Sequence, residues 1–370
     1  MESPVLFERV ALANGGEIGR ITLNALATLN SLSLEMIDLI QAQIDAWRND
    51  DVIKALIFDA SGEKAFSAGG DIQALYHDMR AHPGGPCPYC EAFFEREYRL
   101  DYQLRQYPKP TLAWGHGIVM GGGLGILSAC QFRVGTETTR IAMPEITIGL
   151  FPDAGGTYTF ANMDPAWAHF IALTAANINA KDGQLTGMLT HLIPHERKSA
   201  CMEAICQIDG GDAHFSDAMD NCLKEAEAAE GFAASNLAAH AALIRGTIAS
   251  ALEAAEPIKA LCAAVQTWPA DKWLDRAKSS FLAGSPVTAE VIIEQLKRAR
   301  HQSMAEMFRM ELDIASACSR FGEFTEGVRA LLIDKDGRPA WQYPLGEVPR
   351  SHIEAHFEPV ASPHPLQDLD

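Results

Sequence analysis

The order of apolar and polar positions near the start of the chain predicts a strand pair followed by a helix. Residues 5–12 and 18–23 are predicted strands around the turn Ala13-Asn-Gly-Gly16, because Asn-Gly is a strong hairpin signal. Residues 34–47 carry apolar side chains at helical spacing, and Ser33 before them is a residue type that caps helices. The chain therefore opens with a hairpin and an amphipathic helix.

The next part of the chain repeats a unit of strand, glycine-rich turn and helix. The apolar run 52–58 predicts a buried strand that leads toward the first glycine turn. A helix is predicted at 90–107, and further strands at 111–114, 132–134 and 140–143. This alternation favours an α/β core in which the strands pair in parallel.

The character of the chain changes after about residue 160, where alanine-rich segments with helical periodicity dominate. Pro257, Pro269 and Pro286 are predicted helix boundaries, because proline is poorly tolerated inside a helix. We predict an α/β core over residues 1–205 that carries the active site, and a mainly helical region over 206–370. The predicted helical segments are 166–175, 198–208, 216–250 and 288–318.

Composition excludes several classes of protein. Apolar residues make up 48% and charged residues 21% of the 370 positions, as in an ordinary globular enzyme. The formal net charge of −18 argues against nucleic acid as the main partner, although a local basic cluster could still bind a phosphorylated cofactor. No apolar run approaches the length of a membrane span, and the first ten residues show no basic, then apolar, leader pattern. We expect a cytoplasmic protein with no membrane partner.

Eight cysteines in such a chain are expected to be free thiols. The one pair at redox spacing is Cys87-Pro-Tyr-Cys90. No βαβ pattern surrounds it, and no second Cys-x-x-Cys is present to complete a zinc site. We interpret these as loop cysteines without a catalytic role, with a local disulfide or metal clip as the alternative.

Candidate chemistry lies in two glycine turns and two carboxylates. The turns are Ser67-Ala-Gly-Gly-Asp71 and Met120-Gly-Gly-Gly-Leu-Gly125, and the carboxylates are Glu145 and Asp153. Glycine lets a backbone N–H approach a ligand closely, so two such turns could polarise one carbonyl oxygen. With two carboxylates, this is the equipment for acyl or enolate chemistry. The alternative is that the glycines only pack where helix meets strand.

Glu145 stands between Pro144 and the run Ile146-Thr-Ile148. If that run belongs to the core, the carboxyl group is partly desolvated and its pKa is raised, as is common for catalytic acids and bases. A glutamate at a turn or helix start, without a catalytic role, is the alternative.

Together these residues resemble the crotonase (enoyl-CoA hydratase/isomerase) superfamily, and within it the 3-hydroxyisobutyryl-CoA hydrolase branch. The resemblance covers nearly the whole chain and implies a spiral core of ββα units with a C-terminal helical region. A single glycine-rich turn would be weak evidence, whereas five motifs in the right order are specific. They are residues 64–72, 116–123, 143–145, 149–156 and 324–330.

The resemblance implies a role for each matching residue. The N–H groups of Gly70 and Gly122 correspond to the oxyanion hole of the family, with the dipole of the helix after Gly122 in support. Glu145 matches the catalytic acid/base position. Asp153 matches an aspartate of the hydrolase branch, which would orient the substrate hydroxyl or water and assist the leaving group.

Three further positions are expected to contact the substrate by the same resemblance, namely Gly69, Asp71 and Glu97. For Glu97 a solvated helix glutamate is the alternative. Generic hydratases have Arg and Pro where this chain reads Ala25-Leu-Ala-Thr28, so contacts to CoA near that segment are expected to differ.

Two departures from the hydratase pattern favour hydrolysis. Hydratases carry glycine at the position of Asp153 and a second glutamate at the position of Gly125. The implied reaction is hydrolysis of a short β-hydroxyacyl-CoA, as in valine breakdown. An enoyl-CoA hydratase or isomerase is the alternative, and a binding protein without turnover is a rival from another class.

We expect no metal and no separate cofactor, since CoA is part of the acyl-CoA substrate. A homo-oligomer is possible, because the superfamily commonly forms trimers, although the C-terminal helices could cover that interface.

Overall fold

The computed structural model describes residues 3–370, which form two compact units. Unit 1 consists of the chain up to Gly70 together with Leu100–Ile141 and Ile178–Ser235. Unit 2 takes Asp71–Arg99, Ala142–Asn177 and Asn236–Asp370. Neither unit is one continuous segment. The division between residues 205 and 206 stays a prediction, and the first two residues of its core domain lie outside the described part.

Two sheets are found in the described residues. The first has the order β1-β2-β3-β5-β7-β10 and the second β4-β6-β8-β9. The strands are β1 (Val5–Ala11), β2 (Glu17–Leu23), β3 (Ile53–Ala60), β4 (Ala65–Ser67), β5 (Thr111–Gly115), β6 (Ile118–Met120), β7 (Phe132–Gly135), β8 (Arg140–Ala142), β9 (Ile178–Asn179) and β10 (His191–Leu192).

Pairing in the larger sheet follows the predicted pattern. β1 and β2 form an antiparallel hairpin in which Val5 lies opposite Leu23. The pairs β2–β3, β3–β5, β5–β7 and β7–β10 are all parallel. Six of the eight residues of β3 are continuously buried, as expected for a strand with both faces covered. The predicted α/β core with parallel pairing is thereby confirmed.

Helices fill most of the remaining chain. They are α1 (Leu34–Arg48), α2 (Ile72–Ala81), α3 (Pro88–Arg105), α4 (Gly122–Ala129), α5 (Gly156–Ala161), α6 (Pro165–Thr174), α7 (Ala180–Leu185), α8 (Lys198–Cys206), α9 (Phe215–Ala226), α10 (Asn236–Ala239), α11 (Ala241–Glu253), α12 (Pro257–Val265), α13 (Lys272–Ala283), α14 (Pro286–Ala299), α15 (Met304–Phe321), α16 (Glu323–Val328) and α17 (Arg350–Ala355). Among the described residues, none of these helices is both long and apolar enough to cross a membrane.

Sequence periodicity located the helices better than it located their ends. Pro257 and Pro286 each begin a helix, and Pro269 lies between α12 and α13, so the predicted boundaries are confirmed. The prediction of one helical segment over 216–250 is wrong. The chain leaves the helical conformation after Ala226, and Gly231 in this break has φ of +90°, which a helix cannot accommodate.

The predicted segment 288–318 is likewise two helices. Ser303 begins α15 with a capping box, in which its side chain accepts from the N–H of Glu306 while the Glu306 side chain accepts from the N–H of Ser303. Two donors at the helix start are satisfied in this way, and the new helix starts there.

The core of unit 1 lies against one face of its larger sheet. Apolar side chains of β5 and β7, including Leu112, Trp114 and Val134, pack with α8 and α9 through residues such as Ile205 and Met219. Trp114 is fully buried. This packing fixes the parallel strands β5 and β7 against α8 and α9.

In unit 2 Gly327 of α16 packs against the backbone of the segment that carries Glu145. A Cβ atom on Gly327 would lie 2.4 Å from the backbone carbonyl of Ile148, three residues after Glu145. Gly149 makes the reciprocal approach, because a Cβ there would lie 2.5 Å from the backbone of Glu323. Such close backbone contact leaves no room for a side chain at either position.

We predict that Gly327→Ala lowers the free energy of unfolding by about 1–3 kcal/mol, the usual cost of overpacking. The control is Gly246→Ala on the exposed face of α11, where a Cβ would meet no atom within 4 Å. That change should raise stability by about 0.5–1 kcal/mol, since alanine is the better helix former. Chemical denaturation of both variants measures the difference, and equal effects would contradict the packing argument.

Candidate active site

In unit 1 the two glycine turns lie side by side because the short strands before them pair. β4 and β6 run parallel, with Ser67 opposite Val119. Gly69 has φ of +106°, and a Cβ there would lie 3.4 Å from the carbonyl oxygen of Met120. A Cβ on Gly123 would lie 2.5 Å from the Cβ of Ser67. Glycine is therefore required for the two turns to pack this closely.

Gly122 and Gly70 each occupy a position suited to presenting a backbone N–H. Gly122 is the first residue of α4, and the first four N–H groups of a helix have no partner within it. The positive end of the helix dipole lies at the same place. Gly70 follows a turn anchored by Leu32, whose N–H donates to the carbonyl of Gly69 at 2.8 Å. Their role as oxyanion donors stays a prediction.

In unit 2 a short 3-10 helix, Glu145–Ile148, carries the first carboxylate. It ends at Gly149, which has φ of +74°. The N–H of Leu150 donates to the carbonyl of Glu145 at 3.0 Å, and the N–H of Ser285 donates to the carbonyl of Ile146 at 2.8 Å. Glu145 is only 4% exposed, so the predicted core environment of this segment is confirmed.

Asp153 is 5% exposed and lies in the turn between that 3-10 helix and α5. The hydroxyl of Tyr98 on α3 donates a hydrogen bond of 2.7 Å to its Oδ2. Tyr98 is fully buried, and burial next to Asp153 raises the pKa of the phenol, which therefore remains a donor. Tyr98 was not predicted as a site residue, because in the sequence it is marked only as an aromatic residue beside Glu97.

The charge of Asp153 affects the ionisation of Glu145. Burial, followed by the negative charge of Asp153, raises the pKa of Glu145 well above its ordinary value. Burial raises the pKa of Asp153 to about 6, and the hydrogen bond from Tyr98 opposes this rise. Because the groups interact, their titration belongs to the pair rather than to either residue. Raised pKa values are common among carboxyl groups that act as acids and bases in catalysis.

The other residues that are predicted to contact the substrate lie in different local environments. Glu97 is 3% exposed on α3, so the alternative of a solvated helix glutamate is wrong. Asp71 caps α2, since its carboxylate accepts from the N–H of Ala74 at 3.2 Å. Substrate contact by Glu97, Asp71 and Gly69 stays a prediction.

Cys87 and Cys90 are buried, and both thiols donate hydrogen bonds to backbone carbonyl groups. The Cys87 thiol donates to the carbonyl of Ser319 at 3.6 Å, and the Cys90 thiol to that of Leu75 at 3.5 Å. Burial raises the pKa of both thiols, so neither forms a ready nucleophile. All eight cysteines of the chain are free.

The adjacent glycine turns of unit 1 and the buried, interacting carboxylates of unit 2 are each features typical of enzymes of acyl-thioester or enolate chemistry. Comparison with known proteins agrees with this class. A family model described as enoyl-CoA hydratase/isomerase matches residues 18–357. The chain belongs to the enoyl-CoA hydratase/isomerase family.

Several relatives cover most of the chain. A protein of Danio rerio named "3-hydroxyisobutyryl-CoA hydrolase, mitochondrial" is 34% identical over 92% of this chain and 85% of its own length. The Homo sapiens protein of the same name is 32% identical over 96% of this chain and 90% of its own.

Solved structures confirm the crotonase-like fold. A carnitinyl-CoA dehydratase from Mycobacterium thermoresistibile has a TM-score of 0.84 at 30% identity, over 98% of both chains. An enoyl-CoA hydratase from Rhodobacter sphaeroides has a TM-score of 0.83 at 27% identity, over 97% of this chain and 98% of that one.

We predict that Glu145→Gln stabilises the protein at pH 8 but not at pH 4. Folding raises the pKa of Glu145, so the folded state keeps its proton to a higher pH than the unfolded chain does. The contribution to stability is therefore complete below the ordinary glutamate pKa and is lost as pH rises through the raised value.

The amide side chain of the Glu145→Gln variant does not ionise, so the variant avoids the free-energy cost of forming a buried carboxylate. We expect the variant to be more stable than the wild type at pH 8 and to gain nothing at pH 4, as the direction of the pKa shift requires. Denaturation curves at both pH values measure it, and a gain that does not depend on pH would contradict the assignment.

We predict that Tyr98→Phe raises the pKa of Asp153 further by about one unit, because a hydrogen bond to a charged group is worth about 1.5–3 kcal/mol. Carbon-13 NMR of the labelled aspartate carboxyl groups measures the titration. Tyr102→Phe, one turn further along α3, is the matched control and should leave the pKa of Asp153 unchanged. A pKa of Asp153 that stays the same or falls in Tyr98→Phe would refute the proposed hydrogen bond.

Proposed function

We propose that this protein hydrolyses a short-chain β-hydroxyacyl-CoA thioester of the 3-hydroxyisobutyryl-CoA type to the free acid and CoA, a step of valine breakdown. The observation that carries the proposal is the buried pair Glu145 and Asp153, with Asp153 held by Tyr98. An aspartate at position 153 is what the hydrolase branch has and generic hydratases lack. The names of the relatives from fish and human support the same reaction.

In the proposed mechanism the thioester carbonyl is attacked and its oxygen becomes an oxyanion. The N–H groups of Gly70 and Gly122 stabilise that charge, and removal of one such donor commonly costs ~10²–10³-fold in rate. The tetrahedral intermediate then collapses, the C–S bond breaks and CoA leaves as the thiolate. The two turns that carry the donors are fixed by the packing of Gly69 and Gly123.

Glu145 provides the reactive carboxylate by one of two routes. As a general base it takes a proton from water while the hydroxide oxygen adds to the carbonyl carbon. As a nucleophile it forms a mixed anhydride, which water then hydrolyses. Both routes need the ionised form of Glu145. Because burial raises its pKa, activity is expected to rise as pH increases from the ordinary glutamate pKa through the raised one.

Asp153 orients the substrate hydroxyl or the attacking water and assists departure of the thiolate. With one oxygen of its carboxylate bonded to Tyr98, the other oxygen is available for this task. Its pKa of about 6 allows the group to hold or release a proton near neutral pH.

An enoyl-CoA hydratase or isomerase is the second candidate, since the two similar solved structures are described as a dehydratase and a hydratase. Hydration in the family uses a second glutamate at the position of Gly125. That residue lies buried in α4 and has no side chain, so the second carboxylate is missing at this position. A crotonase-fold binding protein without turnover would need neither Glu145 nor Asp153.

The proposal requires no metal and no cofactor apart from the CoA of the substrate. Cytoplasmic residence also stays a prediction, and the fish and human relatives are named as mitochondrial. A homo-oligomer is proposed only by analogy with the superfamily.

We predict that the purified protein releases thiol from 3-hydroxyisobutyryl-CoA or 3-hydroxypropionyl-CoA without added metal or nucleotide, and hydrates crotonyl-CoA slowly or not at all. A thiol-trapping assay and the loss of enoyl absorbance, run side by side, separate the two reactions. Glu145→Gln should lose ~10²–10⁴-fold in thiol release, because it removes the proposed base with little change in volume.

Asp153→Gly, which restores the hydratase-like residue, should lose hydrolysis without gaining hydration, since position 125 still lacks a carboxylate. Fast enoyl hydration without thiol release would overturn the hydrolase assignment in favour of the second candidate. Absence of both reactions across a panel of acyl-CoA esters would favour the binding protein.

A further inference from the structure

The turn that carries Asp153 has an unusual backbone that needs external support. Ala154 has φ of +52° and Gly155 has φ of +75°, so two successive residues are left-handed. For alanine this conformation is sterically strained, because its Cβ comes too close to the following carbonyl oxygen. Residues in sparsely populated conformations persist only where the surrounding structure holds them in place. The turn is buried, and its support comes from two helices of the C-terminal part of unit 2.

Glu311 on α15 provides one support. Its carboxylate accepts a hydrogen bond from the N–H of Gly155 through Oε2 and another from the N–H of Thr157 through Oε1, both at 2.8 Å. Glu311 is fully buried. Each carboxylate oxygen therefore holds one backbone donor immediately after Asp153.

Gln295 on α14 provides the other support. Its amide nitrogen donates to the carbonyl of Pro152 at 2.8 Å and to the hydroxyl of Thr157 at 2.7 Å. The side chain is 1% exposed. The residues before and after Asp153 are thus held by a neutral amide and by a carboxylate, from different helices.

We propose that Glu311 and Gln295 are positioning residues that hold the Asp153 turn in its catalytic geometry. The proposal deepens the function given above and rests on it where activity is measured. The motifs of the glycine turns and of the Glu145 segment include neither residue.

The turn also affects the charge state of Glu311. Burial raises the pKa of Glu311 to about 7, and the charge of Asp153 contributes to this rise. The hydrogen bonds that Glu311 accepts from Gly155 and Thr157 oppose it, so the turn favours the ionised form of Glu311.

Three variants of the full-length chain test the proposal. Glu311→Gln loses one of the two acceptors and the charge, so kcat should fall ~10–10²-fold, because misplacement of a catalytic group by about 1 Å is this costly. Gln295→Met removes both hydrogen bonds at similar volume without changing charge, so kcat should fall there too. KM should change less than kcat in both variants, because the turn is moved while the rest of the binding site is intact.

Asp182→Asn is the matched control. Asp182 is also a fully buried carboxylate that accepts from a backbone N–H, but it caps α7 in unit 1. Its loss should lower the melting temperature and leave both kcat and KM unchanged. A general effect of losing any buried cap would instead alter all three variants alike.

Hydrogen exchange at the amides of Gly155 and Thr157 provides a readout that does not depend on activity. These amides should be protected in the wild type, and the Thr157 or Gly155 amide should exchange at least tenfold faster in Glu311→Gln. Gln295→Met should give a similar increase at the Thr157 amide.

These outcomes separate two kinds of failure. If the wild type hydrolyses no acyl-CoA, the proposed function is wrong, and hydrogen exchange still decides the positioning role. Wild-type kcat together with unchanged exchange in Glu311→Gln would overturn that role. If Glu311→Gln does not fold, Gln295→Met decides, and wild-type kcat and exchange there would overturn it.

Discussion

Glu145 and Asp153 ionise inside protein rather than in water, and the energetic cost of doing so explains much of what surrounds them. Burial raises both pKa values, and no cationic group is among the causes of either shift. The ionised forms are supported instead by the Tyr98 hydroxyl on Asp153 and by the backbone around Glu145. A counter-ion beside them would lower both pKa values and make the two carboxylates weaker bases.

That arrangement depends on parts of unit 2 that are distant in sequence. α16 brings Gly327 against Ile148, and α13 ends beside Ser285, whose N–H binds the carbonyl of Ile146. α14 and α15 hold the turn of Asp153 from two sides. The helical C-terminal part is therefore a scaffold for the carboxylate segment. A compact scaffold of this kind explains why Gly327, a residue without a side chain, occurs in the motif 324–330.

The sequence was sufficient for features that depend on local spacing. The parallel core, the proline boundaries and the burial of Glu145 followed from periodicity and turn chemistry. Tyr98 could not be found in this way, because its partner lies 55 positions away and an aromatic residue in an amphipathic helix looks like ordinary core. Glu311 lies 156 positions from Gly155, and nothing local marks it as different from the solvated glutamates of other helices. The break after Ala226 was missed because alanine-rich sequence on both sides continues the helical pattern.

The separation between Glu311 and the turn that it binds has a consequence for synthesis of the chain. A ribosome adding about 5–20 residues per second needs roughly 8–30 s to make the stretch between them. During that time the left-handed backbone at Ala154 and Gly155 has no glutamate to hold it. The nascent protein can complete the hairpin and much of the parallel sheet of unit 1 while its carboxylate segment is still unsupported. The turn that carries Asp153 therefore gains this support only after α15 has been translated.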